Sequence, residues 1–229
     1  MSVQANGVHH LAISTADIKS QIEFFSQVLG AKLVGLFWMH GVPGGRHAFC
    51  ELNDHCSISF VELPQNATIE PVLGVTHAGS GAGPSAPGTL QHLAFNVDSV
   101  DELLAMRDRI RSHGINVIGY IDHGMCQSIY FAGPEGLTLE IATNEVPIDA
   151  RAWIDPEVVE VAGISAEELA LYCDPPAFES QHGAVPQPPI DPTKPHMDYP
   201  PAVYRAILAI PDDELTRTRS YAEPPVAIR

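Results

Sequence analysis

The sequence is short of basic residues. Lysine and arginine total 12 against 28 aspartates and glutamates, which gives a formal net charge of -16 at pH 7. Such a charge repels nucleic-acid phosphates and anionic lipid surfaces. No apolar run reaches the roughly 18 residues that a membrane-spanning helix needs. We therefore expect neither a nucleic-acid partner nor a membrane.

Cysteine is also scarce, with four residues and no CxxC pair. This sparse, uneven spacing is typical of reduced thiols in a cytoplasm and not of a disulfide framework. The first ten residues, MSVQANGVHH, have neither the basic flank nor the apolar stretch of a secretion signal. These observations predict a cytoplasmic protein.

The composition is that of a globular protein, with 45% hydrophobic and 17% charged residues. The sequence contains an internal repeat. Residues 8–17 read VHHLAISTAD and residues 90–98 read LQHLAFNVD, and a helical pattern follows each segment. A glycine, Gly30 or Gly114, stands where each helix is expected to end.

Both repeats continue in the same way. The β-branched segments KLVGLFW and INVIGYI come next, and each repeat closes on a strand that ends in glutamate, Glu62 or Glu140. The spacing from histidine to glutamate is 52 residues from His10 and 48 residues from His92. The sequence therefore predicts an α+β fold of two βαβββ modules that form a cupped mixed sheet around a metal cleft.

Four segments follow from this pattern. The modules span residues 1–63 and 89–145, and a Gly/Pro-rich connection spans residues 64–88. That connection is either a flexible crossover or a loop that covers the cleft. Residues 146–229 form a Pro-rich C-terminal extension. Its apolar side chains predict that it is ordered against the body or a partner subunit.

A metal site is predicted from the repeat itself. His10 and His92 hold equivalent places before Leu-Ala, so their side chains point to the same face in each module. His9 must face the other way. Glu140 ends an apolar strand, where a bound cation would offset the cost of burying its carboxylate. Two imidazoles and one carboxylate suit Fe(II) with open positions, and Glu62 either is a fourth ligand or is solvated.

These features resemble the vicinal-oxygen-chelate superfamily over residues 7–144. That superfamily includes extradiol dioxygenases, glyoxalase I, methylmalonyl-CoA epimerase and metal-free bleomycin-binding proteins. The segment from Ile121 to Glu140 is similar to the extradiol dioxygenase signature, with His123, Tyr130 and a Pro-x-Gly turn before Glu140. It departs from that signature at Gly133.

The resemblance implies roles for individual residues. His123 and Tyr130 would hydrogen-bond a metal-bound catecholate or its oxygen adduct, and His55 is the candidate acid–base group of the first module. Strand parity would place Cys56 and not His55 on the face of Glu62, unless a bulge intervenes. The implied metal is Fe(II), with Mn, Ni or Zn as alternatives, and a homodimer or higher homo-oligomer is also implied.

The first hypothesis is thus an iron dioxygenase that cleaves an aromatic vicinal diol with O2. The second is a glyoxalase-type isomerase, lyase or epimerase that holds a divalent ion with His10, Glu62, His92 and Glu140. Asn66 agrees with the glyoxalase pattern, whereas Ser14 stands where that pattern has arginine. The third is a protein that binds a small molecule without catalysis.

Overall fold

The structure, a computed structural model, describes residues 2–179 and 183–227. The chain divides into two compact units. One unit is Ala5–Pro176, and the other joins Met1–Gln4 to Ala177–Arg229.

Ten strands and seven α-helices make up the described chain. In order they are β1 (Ser2–Val3), β2 (His10–Thr15), α1 (Ile18–Glu23), β3 (Lys32–Trp38), β4 (Arg46–Asn53), β5 (Cys56–Glu62), β6 (Leu93–Asn96), α2 (Val100–Ser112), β7 (Val117–Asp122), β8 (Gln127–Ala132), β9 (Thr138–Thr143), α3 (Ala150–Trp153), α4 (Pro156–Val161), α5 (Ala166–Cys173), β10 (Phe178–Glu179), α6 (Pro201–Leu208) and α7 (Asp212–Arg219).

The first module has the predicted βαβββ order. The Asp17 side chain caps α1 by accepting the Ser20 N–H, and the helix continues as a π-helical turn, Phe24–Val28. Gly30 follows with φ of 85°, a left-handed conformation that favours glycine. The strands pair in the order β2-β5-β4-β3, with β2 parallel to β5 and the other pairs antiparallel.

The second module repeats this topology. Its strand order is β6-β9-β8-β7, with β6 parallel to β9. The Ser99 hydroxyl accepts the Glu102 N–H at the start of α2. The strand β9 runs beyond Glu140 to Thr143, so Glu140 lies in the middle of a strand and not at its end. The predicted α+β fold of two βαβββ modules is confirmed.

Side chains of both modules form one hydrophobic core, although each module keeps its own sheet. The Phe25 ring contacts Phe60 of its own module and Phe95 of the other, with ring centroids 4.9 and 6.1 Å apart. Arg109 in α2 donates hydrogen bonds to the carbonyl oxygens of Val28 and Gln27. The two modules are therefore packed against each other.

The predicted C-terminal extension is divided between the two units. Helices α3, α4 and α5 belong to the unit of the modules, which ends at Pro176. In that unit the Trp153 ring lies against the backbone of Gly124. A Cβ atom added to Gly124 would be 2.9 Å from the Trp153 ring. The rest of the predicted extension belongs to the smaller unit.

The smaller unit contains a two-stranded antiparallel ribbon, β1 with β10, and the helices α6 and α7. The rings of Tyr199 and Tyr204 stack with centroids 6.0 Å apart. Docking of this segment on the body or on a partner subunit stays a prediction. Within residues 2–179 and 183–227, no helix combines the length and the apolar character needed to cross a bilayer.

Candidate functional site

A line of polar side chains lies on the face of the second sheet that is turned away from the core. Leu139 and Ile141 of β9 point into the core, so Glu140 between them points to the opposite face. The register places Glu140 directly opposite Tyr130 on β8. Side-chain alternation in two neighbouring strands thus brings these two residues together.

His92 completes one end of this line. It directly precedes β6, and its Nε2 atom lies 2.9 Å from Oε2 of Glu140. Glu140 is only 5% exposed. In the part of the chain that the structure describes, no lysine or arginine forms an ion pair with Glu140, and the Glu140 carboxylate contacts the His92 imidazole instead.

His123 forms the other end of the line. It lies in the connection between β7 and β8, and its Nε2 atom is 2.9 Å from the Tyr130 hydroxyl oxygen. The pKa of Tyr130 is raised, mainly by burial and further by the nearby Glu140 carboxylate, against the effect of a hydrogen bond with Ser128. The Tyr130 hydroxyl is consequently a protonated hydrogen-bond donor at neutral pH.

His10 lies on the first sheet, on the corresponding face. Its ring packs edge-on against Phe49 with centroids 5.5 Å apart, and its Nδ1 atom is 2.9 Å from Nδ1 of His9. The contacts of His10 are thus with residues of its own module. The pair of His92 and Glu140 is formed separately, within the second module.

Two other predicted residues lie elsewhere. Glu62 accepts a hydrogen bond from the Ile18 N–H at the start of α1 and pairs with Arg46. It therefore points to the helix side of the first sheet, opposite to the face of His10. His55 is exposed in the turn between β4 and β5, where its N–H donates to the Asn53 side chain.

A histidine that the sequence reasoning did not select, His47, lies on the same face of the first sheet as His10. Its Nε2 atom is buried and has no hydrogen-bond partner among the described residues. Burial, and next the charge of nearby His10, lower the pKa of His47. The alternation of His47 and Phe49 along β4 is the sequence signal that could have identified it.

The side chains of this site include ligand types that bind divalent metals. One imidazole and one buried carboxylate, 2.9 Å apart, suit a transition-metal ion. Within residues 2–179 and 183–227, however, no three His, Cys, Asp or Glu side chains come together as a metal-binding group. Two of the three predicted donors therefore fit a metal, and the role of His10 stays a prediction.

Two cavities adjoin these residues. One, of about 960 Å³, is lined by His123 and Tyr130 and by apolar side chains such as Leu73 and Ile118. The other, of about 690 Å³, is lined by residues that include His92 and Thr15. Residues of the Gly/Pro-rich connection line both cavities, so this segment lies beside the candidate site.

Gln91 and Glu135 are further residues of the site that the sequence reasoning did not select. Gln91 contacts the Nδ1 atom of His92. Glu135 belongs to the turn before β9, and its carboxylate accepts hydrogen bonds from Thr15 and Gln21 of the other module. The only signal for Gln91 in the sequence is its place next to His92, and Glu135 carries no such signal.

Curated relatives of the chain include two proteins named as dioxygenases. MhqA from Bacillus subtilis (strain 168), provisionally named a ring-cleaving dioxygenase, is 26% identical over 178 residues, which cover 76% of this chain and 53% of MhqA. The chain thus spans about half the length of that relative. Biphenyl-2,3-diol 1,2-dioxygenase 2 from Rhodococcus globerulus is 26% identical over 148 residues, which cover 64% of this chain and 68% of that enzyme.

Solved structures are similar at lower identity. A glyoxylase/bleomycin resistance protein/dioxygenase domain from Frankia sp. EAN1pec is 16% identical, with a TM-score of 0.48, over 62% of this chain and 99% of that one. Lactoylglutathione lyase from Agrobacterium tumefaciens is 17% identical, with a TM-score of 0.43, over 62% of this chain and 96% of that one.

The family comparison covers both modules. The profile of the Glyoxalase/Bleomycin resistance protein/Dioxygenase superfamily matches residues 7–141, from before β2 into β9. This is more than half of the chain, and it includes the whole repeat apart from the end of its last strand. The chain belongs to the Glyoxalase/Bleomycin resistance protein/Dioxygenase superfamily.

Proposed function

We propose that this chain is an extradiol-type dioxygenase, which opens an aromatic ring beside a vicinal diol with O2 and a divalent metal. The observation that carries the proposal is the continuous line His92, Glu140, Tyr130 and His123 on one face of the second sheet. It combines two metal-ligand types with a hydroxyl donor and an imidazole. The two curated relatives named as dioxygenases also support this reaction class.

The metal would be held by His92, Glu140 and His10. A set of two histidines and one carboxylate suits Fe(II), and Mn, Ni or Zn are alternatives. When bound, the metal would supply Lewis-acid chemistry for the diol and redox chemistry for O2. Fe(II) is the metal that we propose.

The remaining residues would bind and orient the substrate. The Tyr130 hydroxyl can donate a hydrogen bond to a diol oxygen, and the His123 imidazole can hold the Tyr130 hydroxyl in place or exchange a proton with it. The cavity beside them is lined by exposed apolar side chains, among them Leu73 and Ile118, which would receive the aromatic ring and exclude water.

A proton acceptor for the diol would come from the first module. His55 is the residue that the resemblance suggests, but it is exposed in a turn. His47 is a second candidate, because it shares a face of the first sheet with His10 and its Nε2 atom is free of other described partners. Measuring the turnover of a His55 variant and of a His47 variant distinguishes the two candidates, because only loss of the true proton acceptor should lower turnover.

The glyoxalase-type alternative has less support from the geometry, since it requires Glu62 as a ligand. The Glu62 carboxylate is already used by Arg46 and by the Ile18 N–H. A binding protein without catalysis remains a second candidate. It is favoured by the lack of a three-donor metal group within residues 2–179 and 183–227, together with the two large cavities.

One experiment separates the three functions. The purified chain is loaded with Fe(II) under anaerobic conditions, its metal content is measured, and O2 uptake is followed on a panel of catechols. Stoichiometric iron with catechol-dependent O2 uptake supports the dioxygenase. Tight binding of nickel or zinc without O2 uptake supports the isomerase, and the absence of any bound metal supports the binding protein.

A further inference from the structure

The orientation of the Gln91 side-chain amide is determined by its neighbours. Its Nε2 atom lies 3.0 Å from the carbonyl oxygens of Ser80 and Gly81 and 3.1 Å from that of Gly83. Carbonyl oxygens only accept hydrogen bonds, so the atom that faces them must be the NH2 group. The side-chain oxygen of Gln91 therefore faces the other way, against Nδ1 of His92.

This orientation determines which nitrogen of His92 carries hydrogen. An amide oxygen only accepts, so Nδ1 of His92 must be the donor. The Nε2 atom then faces Glu140 Oε2, which is also an acceptor, at 2.9 Å. His92 lies between two acceptors, and both are satisfied when a shared proton or a metal ion lies at Nε2.

The same amide also holds a loop over the candidate site. Ser80, Gly81 and Ala82 line the cavity of His123 and Tyr130, and a Cβ atom added to Gly81 would lie 3.5 Å from Cε1 of Tyr130. The loop is tightly turned, since a Cβ atom added to Gly83 would lie 2.0 Å from the Ala78 carbonyl oxygen. The two N–H groups of the Gln91 amide, shared among these three carbonyl oxygens, keep this backbone in place.

We propose that Gln91 is a positioning residue, which holds His92 with Nδ1 protonated and Nε2 presented to a metal, and which ties loop 80–83 to that site. The part that concerns a metal rests on the proposed function. The loop and the metal ligand share one side chain, so the order of the loop and the affinity for metal are coupled. Hydrogen-bond partners of metal-bound histidines are worth about 10- to 100-fold in metal affinity.

The test compares two substitutions of Gln91. Gln91→Leu removes both the acceptor for His92 and the donor to the loop. Gln91→Glu keeps an acceptor for Nδ1 but has no N–H for the three carbonyls. Substitution of Gln27, an exposed glutamine of the first module, by Leu is the matched control.

Three quantities are measured on the full chain. The hydrogen-bonded Nδ1–H of His92 is observed by NMR on 15N-histidine-labelled protein, with and without Zn²⁺. Hydrogen exchange of the Gly83 amide, which donates to the Ser80 carbonyl, reports on the loop. Competition with a chelator gives the affinity for Zn²⁺.

Gln91→Leu is expected to lose the Nδ1–H signal, to speed up exchange at Gly83 and to weaken Zn²⁺ binding about 10- to 100-fold. Gln91→Glu should keep the Nδ1–H signal and speed up exchange at Gly83. The proposal is overturned if Gln91→Leu retains the signal or the Zn²⁺ affinity, or if Gln91→Glu protects Gly83 as well as the native residue does.

These readouts do not depend on turnover. If the three measurements agree with the proposal and no O2 is consumed with any catechol, only the proposed dioxygenase function is wrong. If O2 is consumed and the Gln91 variants behave like the Gln27 control, only the role of Gln91 is wrong.

Discussion

The Thr15 hydroxyl donates a 2.6 Å hydrogen bond to the carboxylate of Glu135, which joins the first module to the turn before the last strand of the second. The same carboxylate accepts from the Ala16 N–H and from Gln21 Nε2. Thr15 is 2% exposed and Gln21 is fully buried. Glu135 therefore satisfies buried donors of the other module, and it does so with a backbone φ of 54°.

Replacement of Glu135 by Ala should destabilise the chain by about 2 kcal/mol, because buried donors lose their acceptor. Glu135→Gly loses the same hydrogen bonds but relieves the left-handed backbone, which costs a residue with a Cβ atom about 1 kcal/mol. We expect the glycine variant to be the more stable of the two. Urea unfolding measures both, and an alanine variant as stable as the glycine variant would contradict this account of the turn.

The stabilisation by Glu135 should also depend on pH. Burial raises the pKa of this carboxyl, but the hydrogen bonds from Thr15, Gln21 and the Ala16 N–H outweigh it and hold the pKa below its ordinary value of 4.5. A lowered pKa in the folded state stabilises the protein above the unfolded-state pKa, and this stabilisation is lost as the pH falls through the folded-state pKa.

The difference in unfolding free energy between the native chain and Glu135→Gln should thus be constant near neutral pH and should shrink below about pH 4.5. Unfolding curves from pH 7 down to the onset of acid denaturation test this. A difference that does not change over that range would show that the Glu135 carboxylate is not preferentially stabilised in the fold.

Substitution of His47 should affect stability and turnover in opposite directions. Its buried Nε2 atom lacks a described partner, and its ring packs against Phe37 and Phe49. His47→Phe keeps the aromatic packing and removes the unpaired polar atom, so stability should rise by about 1 kcal/mol. Turnover of a catechol should fall if His47 accepts a proton. A destabilised Phe variant would show that Nε2 is satisfied in solution.

Tyr130 and His123 separate ring cleavage from isomerisation. In a dioxygenase, Tyr130→Phe and His123→Ala should leave the metal content near normal and lower turnover by about 10- to 1000-fold, the usual cost of losing a positioned donor or proton-transfer group. Glu62→Gln is the matched comparison. An active enzyme that tolerates both pocket substitutions but fails with Glu62→Gln would favour the isomerase.

The metal assignment is tested at His92. Replacement of His92 by Ala should remove most of the bound metal, because two remaining ligands rarely retain a labile ion. Metal analysis after anaerobic loading measures this, with His113→Ala, at the exposed end of α2, as the control. Full metal occupancy in the His92 variant would exclude this residue as a ligand.

The extent of what sequence could predict differs between the fold and the site. The repeat predicted both modules, because apolar periodicity and the glycines at Gly30 and Gly114 depend on local backbone physics. Strand alternation also explains why Glu140 and Tyr130 share a face once their register is known. That register depends on pairing between two strands, which no local pattern specifies.

The sequence by itself determined the two βαβββ modules, the family resemblance and the candidate residues. Only the tertiary structure decided that Glu62 points to the helix side and that Nε2 of His47 is buried without a hydrogen-bond partner among the described residues. It also decided that the Gln91 side chain contacts both His92 and loop 80–83. These relationships join residues that are far apart in the chain or set by strand pairing, and the packing of the whole unit establishes them.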